Sequence, residues 1–137
     1  FHHTINGASN IPAVVWMLTA SIFIYSIAIA WFKDVPDMEG DRRFQIRTLS
    51  LQLGARNVLR ISNVLLGLLF VFNIVVSLFG NLPLNKWLFA SAHALMLLSL
   101  WVAASRLRLE EPASVRRYYL FIWILFFVEY AVFAASV

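Results

Sequence analysis

Four runs of about twenty mostly apolar residues, at 11–32, 61–80, 87–105 and 119–137, leave this 137-residue chain little choice of fold. Each is close to the roughly 20 residues that an α-helix needs to cross a hydrocarbon core of about 30 Å. A backbone in lipid must also satisfy its own hydrogen bonds, which a helix does and an open strand does not. The expected fold class is therefore all-α: a polytopic membrane bundle of four transmembrane helices, with a short cytosolic helical loop at 33–56. Hydrophobic residues make up 61% of the chain and charged residues 13%, far from the roughly 45–50% and 25% of soluble domains. What remains between the spans is too short for a soluble domain, so 1–137 reads as one membrane unit.

Charge placement orients that unit. Most of the eleven Lys and Arg residues fall in 33–56 and 106–117, the segments that follow the first and third spans. A strict up-down path puts both segments on one side, and the positive-inside rule makes that side cytosolic, or stromal in a plastid. Trp16 and Trp31 bracket the first span, and Trp87 and Trp101 the third, as aromatic belts do. The net charge of +4 is accounted for by orientation, so nucleic acid is not an expected partner. Cysteine is absent, which removes disulfides and thiolate metal sites. The chain opens at Phe1 without an initiator Met, a basic leader or a cleavage pattern, and is expected to be a piece of something longer.

The chemistry is concentrated in the charged island at 33–54, KDVPDMEGDRRFQIRTLSLQLG, which holds four of the seven acidic residues. Asp34, Asp37 and Asp41 are spaced i, i+3 and i+7, so a helical backbone puts all three within about 60° of one face. Two carboxylates about 6 Å apart repel by roughly 3 kcal/mol at an effective dielectric near 20, and something must offset that. Lys33, Arg42, Arg43 and Arg47 could do so on a solvated loop, at about 0–1 kcal/mol per exposed pair. A Mg²⁺ ion could do so as well, since it binds through one or two carboxylates plus phosphate oxygens. Spacing alone leaves both open. Pro36 predicts a break or kink after the first span, with a new short helix starting there and running towards Arg47. Residues 48–54 predict a second short helix closed by Gly54.

The island resembles the second aspartate-rich motif of the UbiA superfamily of intramembrane prenyltransferases, and most closely its homogentisate phytyltransferase branch, where a KD-x-x-D-x-x-GD core runs into a hydrophobic-Arg/Lys-Thr segment and a Leu-Gly. The later spans, with YYLFIWILFFVEY at 118–130, are similar to the C-terminal part of that branch. The resemblance implies that Asp37 and Asp41 are the catalytic pair holding a prenyl diphosphate through Mg²⁺, with Asp34 as a third metal ligand. Lys33, Arg47 and Arg42 are then candidate diphosphate contacts, because a cation near the leaving oxygens stabilises the charge that grows there. The first motif of that family, N-x-x-x-D-x-x-x-D, is absent from this sequence, so the chain resembles the last four of about nine helices and is expected to need the missing N-terminal half to act.

For the whole enzyme the resemblance implies loss of diphosphate from phytyl or geranylgeranyl diphosphate and attack by an aromatic acceptor, homogentisate, with loss of its carboxylate on the way to tocopherol. It also implies a cyanobacterial or plastid membrane. Apolar spans suit a carbocation that must be kept from water. Phe23, Tyr25 and Trp31 could face such a cation, although aromatic residues on membrane helices ordinarily meet lipid, neighbouring helices or the interface. Three polar residues lie inside the spans. Counted from the cytosolic ends, Asn73 and His93 are each 12 residues along and Glu129 is 10, a shared depth of about 15–18 Å. They either line the substrate cavity or join the helices by hydrogen bonds. Two other readings remain: a sister prenyltransferase acting on chlorophyllide or another quinone precursor, and a non-catalytic structural membrane module. A CDP-alcohol phosphotransferase pattern would need Asp before Gly, and here Gly40 precedes Asp41.

Overall fold

The computed structural model describes residues 11–45 and 48–137, and of Asp37, Glu39 and Leu49 the backbone only. Within them lie four long helices and one short one: α1 (Ala13–Arg43), α2 (Leu49–Leu53), α3 (Ala55–Phe79), α4 (Lys86–Ser105) and α5 (Pro112–Ser136). Each long helix contains a segment long and apolar enough to cross a membrane, so the chain is a multi-pass integral membrane protein. α1 and α4 both pack on α3 and on α5, which closes a four-helix ring in the order α1, α3, α4, α5.

The interior of the ring is layered. A large apolar cluster built around Tyr25, Phe32, Leu66, Phe70 and Ile122 fills the half nearer the charged island. A smaller one, Val14, Met17, Phe89 and Phe133, fills the far half. Between them lies a polar layer of Ser21, Asn73, His93 and Glu129, each no more than 1% exposed. Outward faces carry large apolar side chains such as Phe23, Leu95 and Trp101, as a lipid-facing surface should.

The expected break at Pro36 does not occur. α1 runs unbroken through Pro36 to Arg43 over 31 residues, about 46 Å of helix against a hydrocarbon core of about 30 Å. Proline removes one donor but its fixed φ suits a helix, and neighbours hold the emergent turn on two flanks. On one, Ser50 of α2 donates to Asp34 Oδ2 at 3.4 Å. On the other, Val35, Pro36 and Met38 border a crevice of about 310 Å³ whose far wall is Leu109, Pro112 and Val115. Gln45, at φ 57°, turns the chain out of the helix, and Arg42 and Arg43 sit in its last turn, where positive charge complements the helix dipole.

The expected short helix at 48–54 is present as α2. Thr48 caps it by accepting from Leu51 N at 3.3 Å. Gly54 ends it at φ 79° and ψ 147°, and its carbonyl then accepts from Asn57 and Val58 to start α3. This conformation is open to glycine and strained for any other residue. On the opposite side, Asn85 caps α4 by accepting from Leu88 N at 3.2 Å, and its own N–H donates to Ser136 O at 2.7 Å, which ties the end of α5 to the start of α4.

Two glycines should therefore respond in opposite directions. Gly54→Ala, at positive φ, is expected to lower stability by about 1–3 kcal/mol. Gly40→Ala, inside α1 with open space around it, should raise it by roughly 0.5–1 kcal/mol. Thermal unfolding in detergent, followed by circular dichroism, checks both signs.

Candidate functional site

The uninterrupted α1 places the acid row. Positions 34, 37 and 41 rise along one side of a single helix, with about 10.5 Å from the first to the last. Asp34 and Asp41 are half-buried, and Lys33 and Arg42 are exposed. Arg47 lies outside the described residues, and of Asp37 only the helical backbone position is described. The structure therefore brings Asp34 together with Ser50, a contact that no sequence motif announced, and sets Arg42 on the flank that borders the crevice with the α4–α5 loop.

The direction of the row follows from helix geometry. The buried positions of α1 are Val14, Met17, Ser21, Tyr25, Ala28 and Phe32. At 100° per residue they centre about 170° away from positions 34, 37 and 41. These three positions therefore lie on the side of α1 away from the four-helix core, with α2 alongside at Asp34. Below them, at steps of seven from Asp37, lie Ala30, Phe23 and Trp16, all exposed. Phe23 and Trp16 are 66% and 60% exposed. One face of α1 thus carries an acidic head row above an apolar, aromatic stripe.

Hard oxygen donors at this spacing suit Mg²⁺, which needs one or two carboxylates and takes its remaining ligands from phosphate and water. A single α-helical turn separates positions 37 and 41, whereas 34 and 41 are too far apart to share one ion. Among the described residues, which exclude the Asp37 carboxylate, no group of three His, Cys, Asp or Glu is poised to hold a metal. The donor set fits a cation completed by a ligand's phosphates better than one caged by protein alone.

The intramembrane polar residues meet, as their common depth suggests. Asn73 Nδ2 lies 3.1 Å from Glu129 Oε1, 3.0 Å from His93 Nε2 and 3.3 Å from Ser21 Oγ, so one side chain touches the other three helices. His93 Nδ1 is 2.8 Å from Phe89 O. A carbonyl can only accept, so Nδ1 carries the proton and neutral His93 presents an Nε2 lone pair to Asn73. Glu129 Oε2 is 3.3 Å from the same Nε2, within ion-pair range but not aligned as a hydrogen bond. A lone carboxylate at this depth costs several kcal/mol. Tyr25, one turn from Ser21, is fully buried with its hydroxyl unpartnered and its ring against Phe70 and Phe126. Of the three aromatics considered from sequence, Tyr25 is core, Phe23 is on the outward face and Trp31 is half-buried. Ser21 of this layer carried no sequence signal, because serine is common on membrane helices.

A multi-pass helical bundle with a row of carboxylates at one membrane boundary defines the class. The UbiA prenyltransferase family model matches residues 4–125, and the chain belongs to that family. It is 42% identical over 116 residues to the homogentisate phytyltransferase of Synechocystis sp., covering 85% of this chain and 38% of that protein. It is 36% identical over 122 residues to naringenin 8-dimethylallyltransferase 2 of Sophora flavescens, covering 89% of this chain and 30% of that one. With the homogentisate solanesyltransferase of Arabidopsis thaliana it shares 34% identity over 140 residues, 96% of this chain and 36% of that one. The chain thus spans about a third of the length of these relatives. No solved structure matches it.

The buried cluster yields a graded prediction. Asn73→Leu strands partners on three helices and should cost roughly 2–4 kcal/mol. Glu129→Gln keeps a donor and an acceptor in place and should cost under about 1 kcal/mol. Unfolding midpoints of the two variants in detergent should separate clearly.

Proposed function

We propose that this chain forms the C-terminal four helices of an enzyme that transfers a prenyl group from its diphosphate to an aromatic acceptor in a Mg²⁺-dependent reaction. The observation that carries the reading is the outward face of α1, with its acid row at the membrane boundary above an apolar stripe. A prenyl diphosphate has the same two parts in the same order. Homogentisate is the acceptor favoured here, because the most similar of the three relatives described above is named for it, and phytyl or geranylgeranyl diphosphate the donor.

Asp37 and Asp41 would hold the cation, and Asp34, braced by Ser50, extends the row. Mg²⁺ bound there would supply positive charge that makes diphosphate a better leaving group. Lys33 and Arg42, beside the row, and Arg47 supply further positive charge where the leaving oxygens gather theirs. The allylic carbon–oxygen bond breaks with its electron pair going to the diphosphate. A ring carbon of the acceptor then forms the new carbon–carbon bond, and its carbon–hydrogen bond breaks with loss of the proton, which restores the aromatic ring. The stripe at Ala30, Phe23 and Trp16 keeps the chain, and the cation that develops on it, in an apolar setting from which water is excluded. The carboxylates of the family's other aspartate motif are not part of this sequence, so the four helices alone are expected to be inactive. The reading also places the acidic side at the cytosolic or stromal face, because 33–56 and 106–117 hold most of the basic residues.

In the full-length enzyme, Asp37→Ala and Asp41→Ala should each reduce Mg²⁺-dependent prenyl transfer by at least about a hundredfold while leaving membrane insertion and the unfolding midpoint intact. Full activity in both variants would refute the reading.

A further inference from the structure

Two cavities beside the α4–α5 loop play no part in that reaction. The polar one, about 490 Å³, is bordered by Arg106, Arg108, Ser114 and Arg117. The other, about 350 Å³, shares Arg106, Ser114 and Arg117 and continues along Tyr118 and Phe121. They are two ends of one site, a basic head over an apolar slot. It lies at the ends of α4 and α5, both of which are long and apolar enough to span a bilayer, and so at the bilayer boundary.

The charge in this site is not balanced internally. Arg108 is paired with Glu111, Nη1 to Oε1 at 2.8 Å. Arg106 and Arg117 have no acidic partner among the described residues. The walls are built rather than loose. Arg108 N donates to Ser114 Oγ at 3.1 Å, which fixes the loop. The Tyr118 hydroxyl bonds Asn63 Oδ1 of α3, and its ring stands edge-on to Phe32 at 5.5 Å. Phe32 belongs to the core-facing side of α1, so this site lies behind that helix from the acid row and is separate from the diphosphate site.

A neutral lipid would leave two guanidinium groups uncompensated, and a small soluble anion would leave the Tyr118 and Phe121 slot empty. We propose that this is a binding site for an anionic phospholipid of the surrounding bilayer, its phosphate between Arg106 and Arg117 and the start of one acyl chain along Tyr118 and Phe121. Two basic side chains at the membrane surface correspond to a preference of about thirtyfold over a zwitterionic lipid.

The test is native mass spectrometry of the full-length protein released from bilayers of equal parts phosphatidylglycerol and phosphatidylcholine. The wild type should retain phosphatidylglycerol about thirtyfold over phosphatidylcholine, and the Arg106→Gln/Arg117→Gln variant within about threefold. The Arg106→Lys/Arg117→Lys variant should recover most of the preference, which separates lost charge from a damaged fold. Arg116→Gln, outside both cavities, should match wild type. Unchanged preference in the double Gln variant, or an equal loss with Arg116→Gln, would overturn the proposal. Displacement of the retained lipid by glycerol phosphate would overturn it too, by showing that a free anion suffices.

Discussion

Helices in lipid gain little by turning one apolar face rather than another towards a neighbour, since lipid tails are as apolar as leucine. What sets the rotation of these four is the polar layer at mid-depth, where Asn73 reaches Ser21, His93 and Glu129 on the other three helices. Each contact specifies an azimuth. For α1, the contact at Ser21 turns one face inwards. Position 37, about 24 Å further along, then falls on the side away from the core. The direction in which the acid row looks is thus decided deep in the membrane, and the row itself need make no packing contact to hold it.

That separation of duties explains the composition of the two ends. In the polar layer His93 and Glu129 each have a hydrogen-bond partner, as burial demands. At the boundary, α1 leaves the apolar zone as a continuous helix, and its carboxylates stand on a rigid rod braced by α2 and flanked by the α4–α5 loop. A row carried by a helix keeps its spacing better than one carried by a loop, which the proposed diphosphate site would need. The same helix continues downward as an apolar stripe, so under the proposed function one element would hold both head and tail of a prenyl donor.

Much of this was legible in the sequence, for identifiable reasons. Span length and apolarity fixed the four membrane helices, because lipid leaves a backbone few alternatives. Equal depth was enough to foresee that Asn73, His93 and Glu129 could meet, since only residues at one level of a bundle can touch. Pro36 misled, because the local cost of a missing donor was outweighed by neighbours that hold the turn, which no local pattern displays. Ser50 beneath Asp34, and Ser21 in the buried layer, were invisible for a different reason. Serine on a membrane helix carries little information until its partners are placed. The arginines of the α4–α5 loop read as orientation signals, and only their arrangement around two joined cavities gives them a second meaning.

α1 turns its acidic and aromatic face away from the four-helix core, and the proposed function turns that face towards the donor. Photocrosslinking tests this most directly, with a prenyl diphosphate analogue carrying a diazirine along its tail, bound to the full-length protein with Mg²⁺ and mapped by mass spectrometry. Adducts at Ala30 and Phe23, in the seven-residue rhythm of the exposed face, are the predicted result. Adducts confined to Ala28, Tyr25 or other core-facing positions of α1 would contradict it.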